Sequence, residues 1–181
     1  MSAAVFFIVK TLLDLYLITF LLRFLLQWTR ADFHNPLSQF IVRVTNPLVR
    51  PLRRVVPGWR GLDMATLVAL LLLQVLVTFG LMWVKGEAAG PVQVLSYAVL
   101  RTLVATIRLY FFTILIYALL SWVSPGQWSP LTSVLASLNE PLLRPVRRVI
   151  PPVGGLDLSP LFVLIGLQAL LIVLHLPGYL A

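Results

Sequence analysis

In a register of 94 residues, this chain of 181 residues says nearly the same thing twice. Pro47-Leu-Val-Arg-Pro-Leu-Arg-Arg-Val-Val-Pro57 lies over Pro141-Leu-Leu-Arg-Pro-Val-Arg-Arg-Val-Ile-Pro151. The match holds through Gly61-Leu62-Asp63 over Gly155-Leu156-Asp157 and on to Gln74 over Gln168, so that between 47 and 74, 15 of 28 aligned pairs are identical. Upstream, the ungapped register pairs Tyr16 with Tyr110, Thr19 with Thr113, Trp28 with Trp122 and Pro36-Leu37 with Pro130-Leu131. A duplication constrains the fold more than any local signal, because both copies must bury the same pattern. The period is too long for a solenoid and suits paired membrane units. It divides the chain into residues 1–88 and 89–181, each with an apolar segment, a basic Pro-Arg loop and a second apolar segment.

The apolar segments are long enough to cross a bilayer, which takes about 20 helical residues. Met64 to Val84 holds no charge, Leu158 to Leu176 holds only His175, and Thr102 to Val123 is interrupted by Arg108 alone. Ala3 to Trp28 is apolar apart from Lys10, Asp14 and Arg23. With 60% hydrophobic and 11% charged residues, the chain carries about half the charge of a soluble domain. Four transmembrane helices are therefore expected, near 3–28, 62–84, 97–123 and 156–177. Lipid offers no partner to an unpaired backbone group, which leaves helices as the available form. The first segment reads as a retained helix: it has no basic leader, its charges lie inside the apolar run, and no small-x-small cleavage site follows. Cysteine is absent, which excludes disulfides and thiolate chemistry.

The net charge of +8 sits in two places. Segment 29–61 holds Arg30, Arg43, Arg50, Arg53, Arg54 and Arg60 against Asp32, and segment 124–155 holds Arg144, Arg147 and Arg148 against Glu140. The connection at 85–96 holds Lys85 and Glu87 and is neutral. Positive loops stay cytoplasmic, so both Arg-rich segments are expected inside and both termini outside. Two helices per copy then give parallel repeats about an axis along the membrane normal. The expected architecture is an all-α integral membrane fold: four transmembrane helices in two parallel tandem repeats, each with a short amphipathic interfacial helix in a basic cytoplasmic loop.

Asn46-Pro47 reads as a cap followed by proline at the first helical position, with Glu140-Pro141 its counterpart. From there Leu48, Leu52, Val55 and Val56 fall on one side at helical spacing, with Arg50, Arg53 and Arg54 on the other. Pro51 and Pro145 lie within this stretch and predict a kink or break, while Pro57 and Pro151 end it. Such a helix lies in the membrane surface and favours anionic lipid, at about 1 kcal/mol for each Arg near the leaflet. Arg50, Arg53, Arg54, Arg144, Arg147 and Arg148 are thus the candidate surface for anionic lipid, or for a cytoplasmic or membrane protein partner. Nucleic acid is disfavoured, because no aromatic residues interleave with the arginines. Asp63 and Asp157 read as helix caps, with an ion pair to their own loop arginines as the addition.

Arg-Pro-x-Arg-Arg-x-x-Pro followed by Gly-Leu-Asp-x-Ser-Pro at the head of an apolar helix resembles the YggT family of small integral membrane proteins. Arg144-Pro145-Val146-Arg147-Arg148 with Gly155-Leu156-Asp157-Leu158-Ser159-Pro160 fits well, and the first copy departs at Ala65 and Thr66. The resemblance covers nearly the whole chain and implies a protein of the bacterial inner (plasma) membrane built from two such units. It implies no catalytic activity, and loose links to osmotic or ion homeostasis, membrane-protein assembly and division. It supplies no functional residues.

Ionisable groups inside a bilayer are costly and are candidate functional groups. Lys10 and Arg23 are near enough to the surfaces to snorkel. Asp14 is deeper, and its repeat mate is Arg108, so the duplication places opposite charges at equal depth. Three readings are open: Asp14 paired with Arg108 across the repeats, Asp14 paired with Lys10 one turn away, or a proton or ion relay. Gln74, Gln168, Tyr16 and Tyr110 form a second repeated polar set, which reads as interhelical contacts or as the lining of an ion path. No metal constellation, nucleophile–base pair or phosphate loop is present, so neither an enzyme nor a cofactor is expected. The expected function is a non-catalytic membrane protein whose basic face organises lipid or docks a partner. The alternative is a small homo-oligomeric channel or transporter component.

Overall fold

A computed structural model describes residues 3–59, 61–88, 90–123, 129–150 and 157–180. Six helices follow in order: α1 Ala3–Trp28, α2 Pro36–Leu52, α3 Met64–Val84, α4 Pro91–Val123, α5 Pro130–Val149 and α6 Ser159–Val173. Helices α1, α3 and α4 are long and apolar enough to cross a membrane. Helix α6 has 15 residues, shorter than the expected 156–177, and 151–156 lie outside the described residues. The chain forms two compact units that are interleaved along the sequence. The first gathers the chain up to Phe24, Ile41–Ala105 and the residues from Leu176 onward; the second gathers Leu25–Phe40 and Thr106–His175.

Within the first unit, α3 buries Thr66, Leu70, Gln74, Thr78 and Met82. These recur every fourth residue and so form one stripe along the helix. Leu72, Leu76, Phe79 and Trp83 are exposed elsewhere on the same helix. A stripe that is half polar and turned inward, with large apolar side chains outside, is the pattern of a helix whose solvent is lipid. In the last turn of α3, Leu81 and Met82 pack with Val94 of α4 and with Leu180. In the second unit the buried face of α4 carries Tyr110, Thr113, Ile114 and Ala118, and that of α5 carries Val134, Leu135, Leu138, Asn139 and Leu143. Helices α5 and α6 pack together.

The basic helices differ from expectation. They are not short segments opening at Pro47 and Pro141, but begin eleven residues earlier at Pro36 and Pro130. The start signals are there: Asn35 Oδ1 accepts from Leu37 N at 2.9 Å, and Ser129 and Thr132 form a reciprocal capping box. Asn46 is therefore inside α2 and caps nothing. The helices also run through Pro47, Pro141 and Pro145 without interruption, and α2 ends one residue after Pro51. All four interior prolines are exposed. Proline frees the carbonyl four residues earlier, and on an outward face that carbonyl can be satisfied from outside. Val55 and Val56 lie beyond the end of α2, so they do not extend its apolar face. Between α2 and α3, Trp59 and Leu62 exchange backbone hydrogen bonds at 3.1 and 2.9 Å. Gly61 closes that turn at φ +83°, a conformation that explains glycine before Leu62-Asp63.

Candidate functional site

The repeated Arg-Arg and Gly-Leu-Asp motifs meet within each copy. In the first, Arg53 at the end of α2 grips Asp63 with Nε, at 3.1 Å, and Nη2. Asp63 stands at the N-cap position of α3, yet its side chain caps no backbone N–H. Its Oδ2 instead accepts from the Thr66 hydroxyl at 2.7 Å. The capping role expected of Asp63 is replaced by the ion pair. In the second copy Arg147 Nε donates to Asp157 Oδ2 at 2.7 Å and Nη1 to Glu140 at 3.0 Å. Asp157 does serve its helix, because Oδ1 accepts from Ser159 N at 2.9 Å.

Burial acts to raise the Asp63 pKa, but hydrogen bonds from Arg53 and Thr66 and the charges of Arg53 and Arg23 outweigh it, leaving the carboxyl below its ordinary range. For Asp157, burial likewise opposes, and Arg147 with the Ser159 amide brings the net shift downward.

Arg23 enters the first cradle from α1. It is 2% exposed and does not snorkel to the surface. One nitrogen, Nη1, donates to Thr45 Oγ1 at 2.6 Å, Asn46 Oδ1 at 3.1 Å and the Val42 carbonyl at 3.3 Å. Its Nη2 lies 3.7 Å from Asp63. Helix α2 thus supplies Arg23 with the polar partners that an interface would otherwise provide. The repeat mate of Arg23 is Tyr117, so the second cradle has no equivalent arginine. An ion pair from Asp63 and from Asp157 to an arginine of its own loop was legible from the motif, and the structure assigns it to Arg53 and Arg147. Arg23 was not, because its partners Thr45 and Asn46 look like ordinary helix residues.

A second polar cluster lies in the first unit. Asp14 does not pair with Arg108; its Oδ1 accepts from Arg101 Nη2 at 2.6 Å, and Oδ2 lies 3.5 Å from Lys10. Arg101, 5% exposed, also donates to Thr78 Oγ1 at 3.1 Å and to the Leu180 carbonyl at 3.1 Å. The Asp14 carboxylate has two cations of its own helix and of α4 closer than any repeat mate. Arg108 is exposed, with no ion pair among the described residues. Beside this cluster Tyr179 donates to Glu87.

The members of the remaining repeated polar set differ in burial. Gln74 and Tyr110 are buried, Gln168 is exposed, and Tyr16 is half-buried with its ring 5.1 Å from that of Phe20 in an edge-on contact. Equivalent positions therefore have unlike surroundings.

Long apolar helices, an inward polar stripe and an arginine–aspartate pair in each copy of the repeated sequence mark an all-helical protein of membrane-like composition. The family profile described as CCB3/YggT matches residues 2–84 and again 96–177, one match per copy, and the chain belongs to this family. It is 42% identical over 170 residues to an uncharacterised protein of Pseudomonas aeruginosa, covering 93% of this chain and 86% of that one. An uncharacterised protein from the proC 3′ region of Vibrio alginolyticus is 44% identical over 164 residues, covering 90% and 88%. The uncharacterised protein YggT of Escherichia coli K12 is 38% identical over 174 residues, covering 91% and 85%. No solved structure matches the chain.

Proposed function

We propose that this is a non-catalytic multi-pass protein of the bacterial inner membrane whose two arginine-rich helices gather anionic lipid on the cytoplasmic face. One observation carries the reading. Each copy commits one arginine, Arg53 or Arg147, to its aspartate, and leaves Arg50 and Arg54, or Arg144 and Arg148, exposed without an ion pair among the described residues. Beside them Val55 and Val149, repeat mates, are each 80% exposed. Exposed arginine next to exposed aliphatic side chain suits a headgroup boundary, where the charge meets phosphate and the methyls meet acyl chain. A protein partner with an acidic surface is the second reading, favoured by the fixed Arg-Pro-x-Arg-Arg spacing.

Native mass spectrometry of the protein released from mixed anionic and zwitterionic nanodiscs tests this. Replacing Arg50, Arg54, Arg144 and Arg148 with alanine is expected to abolish the enrichment of anionic lipid, at about 1 kcal/mol per arginine. Replacement with lysine should preserve most of it, because leaflet attraction counts charge. An unchanged lipid ratio in the alanine variant refutes the lipid reading. Arg147 and Arg53 are left alone, since they hold the cradles.

The topology belongs to the same proposal: Arg-rich helices inside, termini outside, α6 as the fourth crossing. Helix α6 covers roughly 22 Å at 1.5 Å per residue. Leu174 to Leu176, if extended, add about 10 Å and reach the thickness of the hydrocarbon core. The residues that follow pack against Leu81, Met82 and Val94, around the neutral α3–α4 connection, which is the external side in this topology. With cysteine placed singly at Ala88 and at Gln39, both exposed, an impermeant thiol reagent on intact cells should label only position 88. Labelling of 39 alone inverts the orientation.

A further inference from the structure

The C-terminal half of α4 presents one charge at the head of an apolar strip. Arg108, Phe112, Ile116 and Leu119 are all exposed. Their spacing of four, four and three residues sets them on one face of the helix. On the N-terminal side of Arg108 the same face is closed. Val104 and Arg101, four and seven residues earlier, are buried, and Arg101 is committed to Asp14, Thr78 and Leu180. The exposed strip therefore runs in one direction only, from the guanidinium toward the C-terminal end of the helix. Arg108 itself has no ion pair among the described residues.

Depth decides what such a strip can hold. From Thr102 to Val123 the helix is apolar apart from Arg108, a length of about 33 Å that matches the hydrocarbon core of a bilayer. Arg108 stands six residues from the Thr102 end, roughly 9 Å along the axis. Long side chains on a helix point back toward its N-terminus, so the guanidinium is directed at the boundary on the side of the α3–α4 connection. It is too deep to be left in hydrocarbon without an anion, and near enough to meet one drawn in from that boundary. From Arg108 to Leu119 the strip measures about 16 Å, half the thickness of the core and so the depth of one leaflet. A phospholipid has this order and these dimensions: an anion, then one leaflet of apolar chain. A transmembrane helix would need contact on both sides of the arginine, and on one side Val104 and Arg101 are already covered.

We propose that α4 carries a site for one phospholipid of the leaflet on the α3–α4 side, its phosphate held by Arg108 and an acyl chain laid along Phe112, Ile116 and Leu119. The guanidinium is a planar fork that matches two phosphate oxygens. The recognised group is the phosphodiester itself, which zwitterionic and anionic phospholipids share. The inference rests on α4 crossing the membrane, and neither on the lipid preference of the basic helices nor on which side is cytoplasmic.

The test is native mass spectrometry of the full-length protein released from nanodiscs made only of zwitterionic phosphatidylcholine. Wild type should retain one phospholipid per chain. Arg108→Leu should lose it, with affinity down about tenfold, the scale of one hydrogen bond to a charged group. Arg108→Gln, which stays polar, gives the same readout should Arg108→Leu fail to fold. The chain with Arg50, Arg54, Arg144 and Arg148 replaced by alanine should keep this lipid, which separates the site from the basic helices. A photoreactive benzoylphenylalanine introduced at Phe112 should form a lipid adduct in detergent, and none once Arg108 is replaced. A wild type that retains no lipid overturns the proposal, as does undiminished retention in both Arg108 variants. Loss of the lipid in the four-alanine chain overturns it in favour of the basic helices. A membrane protein retained from native extracts in place of lipid, and released by Arg108→Leu, overturns it in favour of a helix bearing a carboxylate.

Discussion

Asp63→Asn should destabilise the folded protein by about 3–5 kcal/mol, as expected when one member of a buried ion pair is removed. Arg23 is 2% exposed and would keep Thr45 and Asn46 but lose its only counter-charge among the described residues, and Arg53 would lose its carboxylate. Asparagine preserves the shape and the acceptor for Thr66, so the loss reports charge rather than packing. The equivalent Asp157→Asn should cost about 1 kcal/mol or less. There the partner Arg147 is partly exposed and keeps Glu140, and no buried arginine stands behind it. Thermal melts of the two variants in one detergent measure the contrast, which should be several-fold in Tm. Equal shifts would show that Arg23 does not depend on Asp63.

The same pair has a pH signature. The Asp63 pKa is lowered in the folded protein, so its contribution is present above the unfolded value of about 3.9 and is lost as pH falls through the folded value. The gap in stability between wild type and Asp63→Asn should therefore be full at neutral pH and close on acidification below about pH 4.

What the sequence made legible was what it stated twice. Arg-Arg and Gly-Leu-Asp recur together in both copies, which was enough to anticipate an ion pair from each aspartate to its own loop; that Arg53 and Arg147 supply it is set by the fold. The span of α3 followed from an uninterrupted apolar run, and that of α1 from a run broken by Lys10, Asp14 and Arg23 alone. The start of the basic helices was missed because Asn46-Pro47 has the composition of a helix entry, while the true entries at Asn35-Pro36 and Ser129-Pro130 carry the same chemistry eleven residues earlier. Proline composition could not separate them. Which face a proline occupies decides whether a helix survives it, and that face is set by tertiary packing. Arg101 is hidden in the sequence for a different reason. Arg101 falls inside the expected span of 97–123, but it immediately precedes the apolar run from Thr102 to Val123 and so reads as a flanking charge rather than an intramembrane one. The helix in fact begins at Pro91 and carries Arg101 three turns inside. Equal depth of Asp14 and Arg108 in the repeat implied a pair, but depth fixes only one coordinate of a helical side chain, and its direction around the axis decides contact.

Arg101→Leu should accordingly lower stability far more than Arg108→Leu. Arg101 is buried and has three partners on three other segments: Asp14 of α1, Thr78 of α3 and the carbonyl of Leu180. Its removal strands Asp14 beside Lys10 and leaves Thr78 and the Leu180 carbonyl without their donor, a loss of about 3–5 kcal/mol for a broken buried pair. Arg108 is exposed and unpaired among the described residues, and its replacement should remain within about 0.5 kcal/mol. Asp14→Leu alone leaves Arg101 charged in an apolar setting, yet with two neutral acceptors still in reach. Its expected cost is the smaller of the two, roughly 2–4 kcal/mol. The double variant Asp14→Leu with Arg101→Leu should recover part of the combined loss, since a buried pair replaced by apolar residues is often nearly neutral. A thermal-shift cycle in nanodiscs gives the coupling directly, and more than about 1 kcal/mol is expected for groups in contact. Hydrogen exchange adds a readout that a merely apolar defect would not move: the backbone around Tyr179 and Leu180 should lose protection in Arg101→Leu and keep it in Asp14→Leu, because only the first releases the carbonyl. Coupling below about 0.5 kcal/mol, within ordinary non-additivity, would show that Arg101 holds the chain terminus and α3 independently of Asp14.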